Sequence, residues 1–182
     1  GNGTEAIFYD RADVLTVSIH AHPKRFYPFF WGYAEETGRG PGEGFNLNLP
    51  LERGTTLKPY CAALGTALQR IADFAPDVVV LAAGLDIAID DPFKGFAITT
   101  PDFTAIGKLI AGLGLPLLVV QEGGYPSASL GGNLASLLAG LGTALLTYDL
   151  LRRARGRAVG LAAAFVLLLT CQFAWQARQA QI

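Results

Sequence analysis

Three carboxylates stand close together in Gly84-Leu-Asp-Ile-Ala-Ile-Asp-Asp-Pro92, at positions 86, 90 and 91. Asp residues so placed either cap backbone amides in a turn or offer oxygen to a metal ion. Asp86, nearest the apolar run before it, is the metal candidate. One carboxylate does not hold a catalytic zinc, which takes about three protein ligands. A second segment, Glu122-Gly-Gly-Tyr125, also follows an apolar run. Its glycines let the backbone approach a neighbour closely or take positive φ. Tyr125 is then either a packed ring in an ordinary turn or a phenol that donates to a developing oxyanion.

The histidines of the chain, His20 and His22, lie two apart. In an extended strand such a pair shares a face, which suits a metal, although isolated histidines are commonly structural. A glycine run at 38–44 (GRGPGEG) resembles a phosphate loop in composition alone. Pro41 interrupts it and no helix pattern follows, so that reading fails.

The elements that position these segments follow from pattern. Val14–Ile19 is β-branched and apolar and reads as a buried strand. From His20 to Gly54 the chain is rich in Gly, Pro and aromatics, with a short strand expected near Phe45–Leu49. Thr55 or Thr56 caps a helix to about Phe74, whose inner face is Leu57, Tyr60, Leu64, Leu68 and Ile71. Asp77–Ala83 reads as a strand buried on both faces. A helix capped by Thr100, with Pro101 at its first position, turns Phe103, Ile106, Ile110 and Leu113 inward and ends at Gly114. Pro116–Gln121 is a third buried strand, and Ser127 or Ser129 opens the next helix. Strand, crossover and strand in alternation predict an α/β fold, a three-layer parallel sheet with helices on both faces. In such sheets chemistry sits beyond the carboxyl ends of the strands, here 18–22, 84–91 and 122–125.

Composition sets the class. With 51% hydrophobic and 16% charged residues, the 182-residue chain has material for one packed domain. It contains no Met, so Gly1 reads as an internal position of a longer protein. Cys61 and Cys171 lie in apolar stretches and read as buried thiols, in keeping with a reducing, cytoplasmic setting. All 15 acidic residues lie at or before Asp149 with nine of the 14 Lys and Arg, a net charge of −6. The remaining 33 residues carry five Arg and no acid. No basic face for nucleic acid is present in the first part.

Taken together these segments resemble the zinc-dependent deacetylases of the histone deacetylase and acetylpolyamine amidohydrolase family. Gly-Asn-Gly-Thr at 1–4, Ile7-Phe8-Tyr9, Val17-Ser18-Ile19-His20, Glu36-Thr37-Gly38, 42–50 (GEGFNLNLP), Gly84-Leu-Asp86 with Asp91-Pro92, and Gly123-Gly-Tyr125 match in order over about residues 1–140. The resemblance implies an arginase/deacetylase-like fold and hydrolysis of the amide bond of an acetylated amine, either acetyl-lysine or acetylpolyamine. It implies zinc bound by Asp86, and Tyr125 as the residue that polarises the scissile carbonyl. Potassium would take Ser18 and Ile19 at one site, and the backbone of Phe8, Arg11, Val14 and Phe45 at another. Gly123 and Gly124 would border the acyl channel, with Phe29 or Phe30 as a wall.

The chain also departs from the family. The remaining zinc ligands and the paired base histidines would precede Gly1, so the polypeptide alone is expected to be inactive. Ala21-His22 replaces the usual Gly-Asp, and the histidine matching His20 is not a zinc ligand in the family. A non-catalytic remnant or a membrane-tethered binding module is the alternative.

Beyond about residue 140 the resemblance stops. Residues 141–157 read as a helix ending in a cluster of arginines. Ala158–Trp175 is uncharged over 18 residues and reaches the length of a membrane span, with its amino-terminal end in the cytoplasm. A core helix, or appended out-of-frame sequence, would look the same.

Overall fold

The structure is a computed structural model and describes residues 1–153. Contacts divide the chain into two units, one of Gly1–Pro76 with Phe93–Ala97, the other of Asp77–Pro92 with the described residues from Ile98 onward.

In the first unit, α1 (Asn2–Phe8) leads to β1 (Thr16–Ala21), which pairs in parallel with β2 (Asn46–Leu51). Thr16 lies opposite Asn46, and Ala21 opposite Leu51. Helix α2 (Leu57–Phe74) follows Thr56; of its expected inner face Tyr60 and Leu64 are buried, with Ala67 beside them, while Leu57, Leu68 and Ile71 are half-buried. Tyr60 meets Phe96 edge to face at 5.9 Å, and Phe45 meets Phe74 at 5.8 Å. The long segment after β1 is organised by Glu36, whose carboxylate accepts the amides of Gly32 (2.6 Å) and Tyr33 (2.9 Å). Glu5 on α1 is buried, and Asn46 (2.9 Å) and Asn48 (3.1 Å) of β2 donate to its carboxylate. Burial pushes the Glu5 carboxyl above its ordinary range; the Asn48 hydrogen bond opposes this, and the nearby Glu36 charge adds to it.

In the second unit, β3 (Val79–Ala83) pairs in parallel with β4 (Leu117–Gln121), Val79 opposite Leu117 and Ala83 opposite Gln121. Between them runs α3 (Thr100–Ala111), and after them α4 (Leu130–Arg153), one unbroken helix across residue 140. The cap of α3 is Thr99 rather than Thr100. Asp102 stands three residues later and closes a capping box, so Pro101 falls second in the helix. The helix ends at Ala111, three residues before Gly114, which takes φ +65°.

Phe103, Ile106 and Ile110 of α3 bury against Leu134, Leu137 and Leu141 of α4. Two glycines permit this approach. A Cβ on Gly107 would sit 2.5 Å from the Leu137 carbonyl oxygen, and one on Gly140 would strike the Thr104 backbone. Thr104 and Ser136 join their hydroxyls at 2.7 Å across the same contact.

The parallel pairs and alternating helices agree with the α/β expectation. Burial of β3 and β4 differs from it. Val80 and Leu118, side by side on one face, are 59% and 51% exposed. A wholly apolar run has no period, so it does not say which of its faces is covered. Cys61 is half-buried. Among the described residues no helix is long and apolar enough to cross a membrane. Cys171 and the span expected at 158–175 lie outside the described residues.

Candidate active site

Asp86 lies three residues beyond the end of β3, in a loop that turns back on itself. The amide of Ala88 donates to Leu85 O, and that of Asp91 to Ala88 O, both at 3.1 Å. The Asp86 carboxyl group rests against two glycines. A Cβ on Gly84 would lie 2.8 Å from Asp86 Oδ1; one on Gly123 would lie 2.8 Å from its Cγ and closer still to Oδ1. Gly123 is therefore required by a close approach, and its carbonyl also accepts the Leu85 amide at 3.0 Å. The 84–86 and 122–124 loops, at the ends of β3 and β4, are thus held side by side. Gly124 takes φ +118°, and a Cβ there would collide with Leu85 and Leu130. The positive φ that the glycine pair suggests is used here.

Tyr125 follows immediately and is 44% exposed. Its amide donates to Asp91 Oδ2 at 3.0 Å, and Asp91 is almost wholly buried. Asp90 has a different task. Its carboxylate accepts the Ser129 amide (3.1 Å) and hydroxyl (2.5 Å) where α4 begins, and the Ser129 hydroxyl holds the Asp90 carboxyl below its usual range. The three carboxylates therefore separate into one that lies against glycines, one that caps a helix and one that anchors the Tyr125 backbone. Burial raises the Asp86 carboxyl above its ordinary value, and the negative charge of Asp91 acts in the same direction, while its own backbone amide opposes them.

Zinc in this fold would need about three protein ligands. Among the described residues no three of His, Cys, Asp and Glu gather. Asp86 fits a single ligand position, because a desolvated carboxylate under negative field is relieved by a cation.

The other residues singled out in the sequence lie in the first unit. Ser18 and Ile19 sit mid-strand in β1, opposite Asn48 and Leu49. The Ser18 hydroxyl lies 2.7 Å from His20 Nδ1, and His20 Nε2 lies 2.8 Å from Gly32 O. Both ring nitrogens thus take protein partners. His22 stands just beyond β1; its Nδ1 accepts the Lys24 amide at 3.2 Å and its ring meets the edge of Tyr33. The pair does not act as a two-histidine metal clasp, because no lone pair of His20 is left to ligate.

Phe8, Arg11 and Val14 lie between α1 and β1, and Phe45 lies just before β2. The Arg11 amide donates to Phe8 O and the Thr16 amide to Phe45 O, each at 3.0 Å. Each of these carbonyls keeps a second lone pair, and oxygens of this kind suit a hard cation such as potassium. The Arg11 side chain pairs with Asp13 in solvent. Phe29 and Phe30 are 59% and 70% exposed on the loop before Trp31, and Phe29 takes φ +70°.

Two groups escaped the sequence reading. The buried set of Glu5, Asn46 and Asn48 left a faint trace, Asn at alternate positions of an apolar strand. The anchoring task of Asp91 left none.

Comparison with known proteins identifies the family of the chain. The Histone deacetylase domain family matches residues 1–141. Acetylpolyamine amidohydrolase of Mycoplana ramosa is 45% identical over 141 residues, covering 78% of this chain and 41% of that protein. Acetylpolyamine amidohydrolase 1 of Pseudomonas aeruginosa is 47% identical over 140 residues, 77% of this chain and 40% of its own length. The crystal structure of acetylpolyamine aminohydrolase from Burkholderia pseudomallei superposes with a TM-score of 0.76 at 44% identity, covering 78% of this chain and 42% of that one. The chain thus spans about two fifths of the length of these relatives and has their α/β fold. With 141 of its residues inside the family's domain and the strand-end loops ordered as described, the chain belongs to the histone deacetylase family.

Proposed function

We propose that the chain supplies part of the catalytic centre of a zinc-dependent amidohydrolase, which removes the acetyl group from an acetylated amine. One observation carries the reading. The Asp86 carboxyl group packs against Gly123, and Tyr125 follows two residues later on a backbone tied to Asp91.

Bound zinc supplies polarisation of the amide carbonyl and a water of lowered pKa. The chain's own residues do the following. Asp86 offers one carboxylate oxygen as a ligand. Tyr125 donates its phenolic hydrogen to the substrate oxygen as negative charge builds there, an interaction stronger in the transition state than in the ground state. Gly123 and Gly124 border the acyl channel without side chains. Ser18 with Ile19, and the backbone of Phe8, Arg11, Val14 and Phe45, offer oxygens to potassium. No residue of this chain is assigned as the base for the attacking water. The 182-residue polypeptide by itself gives no turnover on this reading, because one carboxylate does not retain zinc. Relatives named acetylpolyamine amidohydrolase support the substrate class, a linear amine carrying an acetyl group.

The test is a chimera in which residues 1–141 replace the matching segment of the Mycoplana ramosa enzyme. Zinc-dependent hydrolysis of an acetylated amine is expected. Tyr125→Phe should lower kcat by about 10²-fold or more with little change in KM. Asp86→Ala should abolish zinc retention. A folded, zinc-loaded chimera that keeps its rate after Tyr125→Phe would refute the assignment.

A further inference from the structure

Two buried polar atoms make no hydrogen bond among the described residues, the Trp31 Nε1 donor and the Asn48 Oδ1 acceptor. Native folds rarely leave such atoms bare, so each points to a further partner. Both belong to side chains that act on the buried Glu5 carboxylate. The two asparagines of β2 that serve it differ. Asn46 is fully used: its Oδ1 accepts the Thr16 hydroxyl (2.5 Å), and its Nδ2 donates to Glu5 Oε1 (2.9 Å) and Glu36 O (2.5 Å). Asn48 is 3% exposed, and its Nδ2 donates to Glu5 Oε1 (3.1 Å), Glu5 Oε2 (3.3 Å) and Tyr33 O (3.1 Å). All three of these partners are acceptors, so the amide nitrogen must face them and the oxygen must face away. No flip of the amide relieves Asn48 Oδ1.

Trp31 approaches the same carboxylate from the aromatic segment. Burial raises the Glu5 carboxyl and the Glu36 charge adds to this, while the Asn48 and Asn46 amides and the Trp31 indole hold it down. The indole N–H is thus turned toward Glu5, yet it completes no hydrogen bond there. A donor aimed at an acceptor without bonding to it is commonly bridged by one small molecule. The surroundings name that molecule. A cation would meet the indole hydrogen head on, and an anion would meet the charges of Glu5 and Glu36. The occupant must accept from Trp31 and donate to Asn48 and Glu5 at once. Water does both, and in a packed interior it typically makes about three such bonds.

We propose that a single water molecule is an internal part of this fold, accepting from Trp31 Nε1 and donating to Asn48 Oδ1 and the Glu5 carboxylate, so that it ties the aromatic segment to α1 and β2. The site uses no residue assigned above to zinc, potassium or substrate.

The test follows the indole N–H of Trp31 in the 182-residue chain, assigned by its loss in Trp31→Phe and its persistence in Trp175→Phe. Water-selective NOE and ROE spectra should show a cross-peak between that proton and water, with the signs of a molecule resident in the fold rather than of hydrogen exchange. Relaxation dispersion of 17O-labelled solvent counts long-lived waters. Trp31→Phe keeps an aromatic ring but removes the donor, and it should lower the dispersion amplitude by the share of a single molecule. Protection of the β1–β2 amides reports that the variant is folded.

An indole proton with no cross-peak to water, or with one of hydrogen exchange alone, overturns the proposal. So does a folded Trp31→Phe variant whose dispersion amplitude equals that of the parent. A contact from the indole proton to the Asn48 side chain with no water peak assigns a direct bond instead and overturns it as well. Should Trp31→Phe fail to fold, the cross-peak of the parent chain decides alone.

Discussion

Gly123→Ala is the substitution that probes the candidate site most sharply. The new methyl group would start 2.8 Å from the Asp86 carboxyl carbon and 3.1 Å from the Gly84 Cα. To reach an ordinary carbon contact of about 3.5 Å, the carboxyl group must move by roughly 0.7 Å, or the two loops must part by as much. Overpacking of this kind costs about 1–3 kcal/mol. Misplacement of a ligand by about an ångström costs on the order of 10²-fold in rate. The control is Gly131→Ala on α4, where nothing lies within 4 Å of the added group. There alanine should stabilise by about 1 kcal/mol through helix propensity alone. Urea unfolding of both variants, with the Asp86 carboxyl resonance followed by 13C NMR, separates the outcomes. Gly123→Ala should lower stability and move the Asp86 signal, and Gly131→Ala should do neither. If Gly123→Ala leaves both stability and the Asp86 resonance unchanged, the packing described here is wrong.

Gly107→Ala and Gly140→Ala each force α3 and α4 apart and should each cost about 1–3 kcal/mol in chemical denaturation. Asp90→Ala removes two hydrogen bonds at the start of α4 and should cost about 1 kcal/mol, read the same way. Glu5 gives a pH dependence of defined sign. Its folded pKa lies above the unfolded value of 4.5, so the folded state holds the extra proton between the two. Stability should therefore fall as pH rises from 4.5 through the folded pKa and then level off, and Glu5→Gln should remove that slope in urea titrations across pH. Asp10 behaves oppositely, since its hydrogen bond from Arg39 lowers the folded pKa below 3.8. That contribution should be present at neutral pH and vanish as pH drops through the folded pKa, an effect that Arg39→Gln removes.

How much of this was legible in the sequence depends on range. Asp86, Gly123 and Tyr125 stand out in the sequence because each follows an apolar run that reads as a strand, and the strand ends follow from those runs. The bounds of α2 and α3 and the start of α4 lie within three residues of those the sequence predicts, whereas α1 was not expected at all. Thr99 rather than Thr100 caps α3 because Asp102 completes the box with Thr99, a local signal that the pattern contained. The openness of one face of β3 and β4 was not readable, since Val78 to Ala83 is apolar throughout. Glu5 lies 41 and 43 positions from the asparagines that satisfy it, and no local rule links them. His20 and His22 illustrate the opposite failure. Their spacing is a real pattern, but their partners are Ser18, Gly32 and Lys24, which spacing does not name.

The proposed function requires the Asp86 carboxylate, seated against Gly123, to be a ligand of zinc. A crystal of the chimera carrying residues 1–141, measured at the zinc absorption edge, tests it directly. An anomalous peak is expected about 2.0–2.2 Å from an Asp86 carboxylate oxygen. A fully occupied zinc site whose ligands exclude Asp86 would contradict it.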